Sequence, residues 1–284
     1  MFKIAPEGYN LREFDLWSDL YDAKERGTLV DALIVRVRRI SGQGEIWELE
    51  FPDKPGITGL VPVSQSGLPE KSPMNEFVGQ RVTVKIKSID RENDLVACSR
   101  QEAVDIALNK IISKLEENEV INAVVRVVTR HNLFLDIGGG VIVRINQGKA
   151  RLSDGVPLEV QYEVGTIVKV KVTGINREEK CIEVEPVDPW EIWEYNRGEV
   201  LIGRVAAIRE PFAFISIKPG IIGRTAYKNT DKYKVGDIEE FQVVSFNRAK
   251  RHLHLIKWDT RRVNERRRER AKSKTKRATI GNEG

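Results

Sequence analysis

The sequence predicts a mainly β protein: three tandem five-stranded barrels joined by short helices, followed by a basic C-terminal tail. Three observations carry this. A spacing recurs, with Gly79, Gly165 and Gly236 each followed 11 residues later by Asp90-Arg91, Asn176-Arg177 and Asn247-Arg248. Matched openings precede it, Gly27-x-Leu29-x-x-Ala32, Asn118-x-Val120-x-x-Ala123 and Gly198-x-Val200-x-x-Gly203. Between these points apolar residues alternate, as in Val82-x-Val84-x-Ile86, Val168-x-Val170-x-Val172 and Phe241-x-Val243, which marks half-buried strands.

Taken in order, residues 1–26 form an N-terminal helical segment, with Phe14, Trp17, Leu20 and Tyr21 on one face before Gly27. Repeat 1 spans 27–100. A linker helix fills 101–117, with Val104, Leu108, Ile111 and Leu115 on one face. Repeat 2 spans 118–187. A short helix follows at 188–197, where Asp188 caps and Pro189 takes the first turn, and Trp190 and Trp193 give it an apolar face. Repeat 3 spans 198–258, and 259–284 is the tail, disordered or helical. Each repeat holds short strands split by Gly, Pro and Asn turns, which suits a small Greek-key barrel of the OB-fold type. One copy alone reads equally as a three-stranded meander or an SH3-like barrel.

The length of 284 residues allows one to three domains, and 40% hydrophobic residues can bury real cores. No stretch approaches the ~20 apolar residues of a membrane span. The first 21 residues hold Glu7, Glu13, Asp15 and Asp19 and lack an apolar leader core, so a soluble cytoplasmic protein is expected. Cys98 and Cys181 lie in no ligand-like cluster, which argues against a disulfide framework or a structural zinc. Charge is uneven. Residues 261–277 hold ten Lys/Arg against two Asp/Glu, so of the net +5 the body 1–260 carries −2. A basic block of this kind marks an interaction tail for nucleic acid or a solvated, solubilising end.

Gly59-Leu60-Val61-Pro62-Val63-Ser64, the Gly79 to Asp90 run and Ala97-Cys98-Ser99-Arg100 resemble the RNA-binding repeat of the bacterial ribosomal protein S-one family. The linkers Trp17-Ser-Asp-Leu-Tyr and Trp190-Glu-Ile-Trp resemble it too, and the likeness runs over residues 10–258. It implies OB folds that bind single-stranded RNA in translation. It also implies a site of two strand aromatics three residues apart, a His on the next strand, and an Asp followed four residues on by Arg. In repeat 1, Trp47 takes the second aromatic position, and Gly44, Pro62 and Asp94 stand where the first aromatic, the His and the Arg would be; Asp90 remains. In repeat 2, Phe134 is kept, while His131, Arg144 and Lys180 replace the first aromatic, the His and the Arg. In repeat 3, Phe214 is kept and Arg251 stands at the Arg position, but Pro211, Ala226 and Asn247 have lost the other groups. Repeat 1 is the most depleted, which makes it the weakest RNA candidate and a docking module for the small ribosomal subunit.

Trp47, Phe134 and Phe214 are therefore the stacking candidates, each stacked base being worth ~1–3 kcal/mol. Their structural rival is an ordinary core role. Arg36, Arg38, Arg126, Arg144, Arg204, Arg224, Arg251 and Lys180 are candidates for phosphate or sugar contacts, against a rival reading as solvated surface charges. Arg266, Arg267, Arg268 and Arg270 in the tail would add salt-sensitive, non-specific attraction. His252 and His254 share a strand face, but no third metal ligand is visible, so they read as surface or RNA-edge residues. Gly138-Gly139-Gly140 reads as a turn, since no GK[ST] follows it.

Three barrels, linkers and a tail leave no room for a catalytic domain, and no nucleophile elbow, Walker loop or HExxH is present. The expected function is a non-catalytic single-stranded RNA-binding protein, engaging mRNA and the small ribosomal subunit in translation, without cofactor, metal or small-molecule substrate. Two alternatives stay open: a protein-docking adaptor whose tail alone touches nucleic acid, and an accessory factor of RNA decay or transcription.

Overall fold

A computed structural model describes residues 7, 15–40, 42, 44–52, 54–70, 72–228 and 233–258. The protein is mainly β, with three five-stranded sheets in chain order. The first holds β1 (Leu29–Ile40), β2 (Gly44–Glu50), β3 (Thr58–Pro62), β4 (Arg81–Asp90) and β5 (Leu95–Ser99). The second holds β6 (Val120–Val128), β7 (Asn132–Asp136), β8 (Ile142–Asn146), β9 (Ile167–Asn176) and β10 (Cys181–Pro186). The third holds β11 (Val200–Arg209), β12 (Phe212–Lys218), β13 (Ile221–Ala226), β14 (Ile238–Asn247) and β15 (His252–Lys257).

Repeating backbone chemistry explains the repeated spacing. Gly79, Gly165 and Gly236 all adopt positive φ, of 84°, 87° and 97°. Each donates its N–H across the sheet, to the carbonyls of Ile34, Val125 and Val205 at 2.8 Å. A side chain is strained in that conformation, so glycine recurs. Eleven residues on, the side-chain oxygens of Asp90, Asn176 and Asn247 accept backbone N–H groups two or three positions ahead. Those turns close at Asp94, Lys180 and Arg251, all at positive φ. The Asp/Asn position thus builds the hairpin turn.

The three sheets share one strand order but not one closure. The first and third are closed barrels, sealed by parallel pairing of β3 with β5 and of β13 with β15. The second keeps the same order, β10-β9-β6-β7-β8, but among the described residues no backbone pairing joins β8 to β10. One residue differs at this seam. Gly59 and Gly223 stand opposite Leu49 and Ile215; in the second sheet Val143 stands opposite Leu135. A Cβ on Gly223 would lie 2.4 Å from Leu255 Cδ1 on β15. A Cβ on Gly59 would instead meet Leu49 and Phe51 at 3.0 Å, inside its own barrel.

Helix α1 (Ser18–Arg26) ends at Gly27, with φ 64°, and buries Leu20 and Ala23. Helix α2 (Gln101–Ile112) links the first two sheets and buries Ala103, Val104 and Ile112. Two single turns follow β8, α3 (Gln147–Ala150) and α4 (Leu158–Gln161). The expected third linker helix is one 3-10 turn, Pro189–Glu191, capped by Asp188, which accepts the Trp190 N–H at 2.9 Å. Trp190 is fully buried and stacks on Phe246, while Trp193 is exposed under the ammonium of Lys218.

The chain divides into two compact units, residues 1–150 with 162–187, and residues 151–161 with 188–284. Within the first, Arg100 ties two repeats together. It is 3% exposed and donates to the carbonyls of Ser66 at 2.7 Å, Gly67 at 3.2 Å and Gly140. Burial lowers its pKa to about 10, so it stays charged at neutral pH. Beside it, the Gly138–Gly140 turn lies so close to α2 that a Cβ on Gly139 would sit 2.5 Å from Ala107 Cβ. Burial pushes the Cys98 thiol up to about 12, so that cysteine is an inert strand residue.

Candidate nucleic-acid interface

The bulge in the first strand of each sheet aligns the three repeats residue by residue. Past the bulge, Arg36 pairs with Glu48, Val127 with Phe134 and Ala207 with Phe214. On the other side the same three residues pair with Leu60, Arg144 and Arg224. Phe134 and Phe214 are therefore equivalent, as expected, but their counterpart is Glu48 and not Trp47. Trp47 is one residue out of register, and along a strand one residue is the opposite face. It points into the barrel, fully buried, and donates its indole N–H to the Met74 carbonyl at 3.0 Å. The stacking role expected of Trp47 is corrected to a core role.

At the true position Glu48 is buried, and Arg36 and Arg38 both pair with it, Arg38 Nε at 2.6 Å. Both arginines thus neutralise an internal charge while their side chains stay more than half exposed.

Phe134 and Phe214 do lie on the outer sheet face, but neither is bare. Phe134 is 1% exposed and shares an apolar cluster with Met74, Phe77, Val127 and Ile142. The cover comes from the connection between β3 and β4, whose Glu70 carbonyl also accepts from Arg144 at 2.8 Å. Phe214 is 5% exposed, clustered with Val156 and Ile222 and flanked by Val160, Ala207 and Phe212. Here the cover is the 151–161 segment. Gln161 ties it into a compact loop, accepting from Leu152 and Ser153 N–H and donating to the Ser153 and Val156 carbonyls. Ser153 Oγ then bridges the Gly220 carbonyl and the Ile222 N–H, both at 3.1 Å. The stacking role expected of Phe134 and Phe214 is corrected: each ring is already packed against protein.

Other cations are also engaged. Arg126 donates to the Arg81 carbonyl at 2.9 Å, and its own carbonyl accepts from Gln80. Arg251 pairs with Asp188 at 2.7 Å and donates to the Arg151 carbonyl at 2.9 Å, which ties the third barrel to its linker. His131, Arg144, Lys180 and Arg204 are exposed. Arg266, Arg267, Arg268 and Arg270 lie outside the described residues.

What the third barrel presents is a half-exposed cluster beside the covered ring. Phe212, two residues before Phe214, shares its face and lies 4.7 Å beneath the Arg224 guanidinium. Arg224 Nη2 also meets His252 Nε2 at 3.3 Å and His254 Nε2 at 3.1 Å, and the two imidazoles pack edge to face. Burial first, then neighbouring charge (Arg224 at both, His252 at His254), holds both imidazoles below their ordinary pKa. They are neutral at pH 7 and able to accept from the guanidinium. The family pattern did not point to Phe212, which occupies no aromatic position in it; period-2 spacing from Phe214 was the available signal.

No family model matches the chain. Curated relatives do, all described as small ribosomal subunit protein bS1. The Staphylococcus saprophyticus protein is 28% identical over 204 residues, 67% of this chain and 52% of its own length. The Bacillus cereus homolog is 28% identical over 73% of this chain and 54% of its own. The Neisseria meningitidis protein is 25% identical over 84% of this chain and 45% of its own. The chain resembles bS1. It spans about half the length of these bS1 relatives. A crystal structure of a Streptococcus pneumoniae multidomain protein with nucleic acid binding domains aligns over 82% of this chain and 74% of its own, at 11% identity and a TM-score of 0.23. Against the bS1 pattern, the described residues keep outer-face rings in two repeats of three, and both rings are covered. Among the described residues no group of three or more His, Cys, Asp or Glu is placed to hold a metal, and no helix is long and apolar enough to cross a membrane.

Proposed function

We propose that this protein is a non-catalytic, cytoplasmic single-stranded RNA-binding protein of the bS1 kind, engaging mRNA in translation. The observation that carries the reading is the third barrel's half-exposed group of Phe212, Arg224, His252 and His254. A ring, a guanidinium and two imidazoles brought together from three neighbouring strands are the chemistry that stacks an unpaired base and meets its phosphate. Arg204 adds a further exposed cation to this barrel; separately, the second sheet offers His131, Arg144 and Lys180 as exposed contacts, and the tail adds non-specific attraction. Repeat 1, with Glu48 at the stacking position, is the docking module, and the small ribosomal subunit is the partner it serves.

The test is a salt titration of binding to single-stranded RNA, duplex RNA and single-stranded DNA, with the full chain and with residues 1–259. A single-strand preference that survives in 1–259 supports the reading. The covered rings of Phe134 and Phe214 favour a second reading, in which the repeats dock protein and the tail alone touches nucleic acid. Binding that vanishes with the tail and ignores strandedness establishes that one instead.

A further inference from the structure

In the second sheet no backbone pairing joins β8 to β10 among the described residues, and the seam between them is lined. Val143 stands there where the closed barrels have Gly59 and Gly223. A cavity of about 470 Å³ lies there, walled by β8, β10, helix α2 and the Gly67–Pro69 turn. That falls within the ~300–1,000 Å³ of small-ligand sites. Val104 and Leu108 from the helix and Leu68 from the turn make apolar walls, while Arg144 and Lys180 stand on the lining as exposed cations. Lys149 is bound across the opening to Glu183 at 3.5 Å and Glu185 at 3.1 Å, so it bridges β10 and adds no net positive charge. Arg144 spends one N–H on the Glu70 carbonyl, and a guanidinium carries five. Lys180 carries no ion pair among the described residues.

Apolar walls with two cations on the rim fit a flat heteroaromatic ring joined to an anion. We propose that this cavity takes one nucleotide, its base between α2 and β8 and its phosphate on Arg144 and Lys180. The site is composite: the linker helix and a turn of repeat 1 supply one side, and the open edge of repeat 2 the other. Arg144 stands opposite Phe134 in the β7–β8 register, so the phosphate end of the cavity borders the face on which that covered ring lies. The inference deepens the RNA reading and rests on it. The nucleotide belongs either to a bound strand, with one base turned out of line, or to a free mononucleotide.

The experiment uses the full chain, Leu108→Trp, which fills the cavity, and Arg144→Ala with Lys180→Ala, which removes exposed side chains and leaves the fold intact. Each is irradiated with a single-stranded RNA containing 4-thiouridine, and cross-linked peptides are mapped; affinity is read by fluorescence anisotropy. We expect cross-links in 101–112 and 141–146, and a loss of about tenfold in affinity for both variants, the scale of one stacked base. NMR shifts at the same residues with uridine or adenosine monophosphate alone, abolished by Leu108→Trp, would support the cavity with a free nucleotide as occupant. Cross-links confined to the third barrel, with both variants at full affinity and no response to mononucleotides, overturn the proposal while leaving the RNA reading standing. Failure of the unmodified chain to bind either the strand or the mononucleotides removes both.

Discussion

Phe212 and Phe214 sit two residues apart on one strand face, and the structure assigns them opposite jobs. Phe214 is 5% exposed beneath Val156 and Val160, whereas Phe212 is half-exposed under Arg224. Replacing Phe214 with Ala leaves a cavity where a buried ring stood, which costs about 3–5 kcal/mol. For a unit near 100 residues, each kcal/mol moves Tm by roughly 4–8 °C, so the third barrel should melt at least about 12 °C lower. Affinity for single-stranded RNA, measured well below that melting point, should stay within about twofold. Phe212→Ala should do the reverse. Losing a stacking surface worth ~1–3 kcal/mol weakens RNA binding by about 5- to 150-fold, with only a small change in Tm. Urea denaturation followed by tryptophan emission, beside anisotropy titrations, separates the two. A Phe214→Ala protein of full stability and weakened RNA binding would refute the assignment, because the 151–161 segment would then not cover the ring.

Other outcomes follow from named contacts. Arg100→Met leaves the Ser66, Gly67 and Gly140 carbonyls without their donor and should cost about 3 kcal/mol or more in urea titrations; Arg100→Lys should not rescue it, since an ammonium lacks the planar fork. Gly223→Ala drives a Cβ against Leu255 and should destabilise the third barrel by about 1–3 kcal/mol, read as a lower urea midpoint. His252 and His254 titrate below their ordinary pKa in the folded state, so the unfolded chain takes up protons first; stability is full above about pH 6.5 and lost as pH falls through the folded values. Tm should therefore drop between pH 7 and 5, and His252→Gln with His254→Gln should flatten the slope. Arg224, Asp154 and Lys250 are the charged groups that bear on the pair. RNA phosphate would favour the charged imidazoles, so affinity should rise on acidification, by at most about tenfold per pH unit for each proton taken up.

The repeat architecture was legible because its markers are backbone devices. Gly79, Gly165 and Gly236 at positive φ and the Asp90, Asn176 and Asn247 turns sit at fixed offsets in any sequence that builds this sheet. The site was less legible, for three physical reasons. Facing is lost by a one-residue slip, and nothing in Gly44-Glu-Ile-Trp-Glu told Trp47 from Glu48; only the bulge between Ile34 and Arg36 settles it. Covering is a long-range event: Val156 reaches Phe214 across 58 positions of sequence, beyond any periodicity argument. The seam between β8 and β10 was not legible either: Val143 reads as an ordinary strand residue, although Gly59 and Gly223 hold its place in the other two sheets.

The covering loops also bear on how this protein is to be dissected. The connection after β3 shields Phe134 of the following repeat, and the stretch after β8 shields Phe214 of the repeat after that. A repeat excised as a lone fragment leaves its shield behind on the piece before it. The bared ring would be sticky and prone to self-association. It would also offer an aromatic platform that the intact chain keeps hidden, so a fragment that binds RNA well would report on a surface made by the cut.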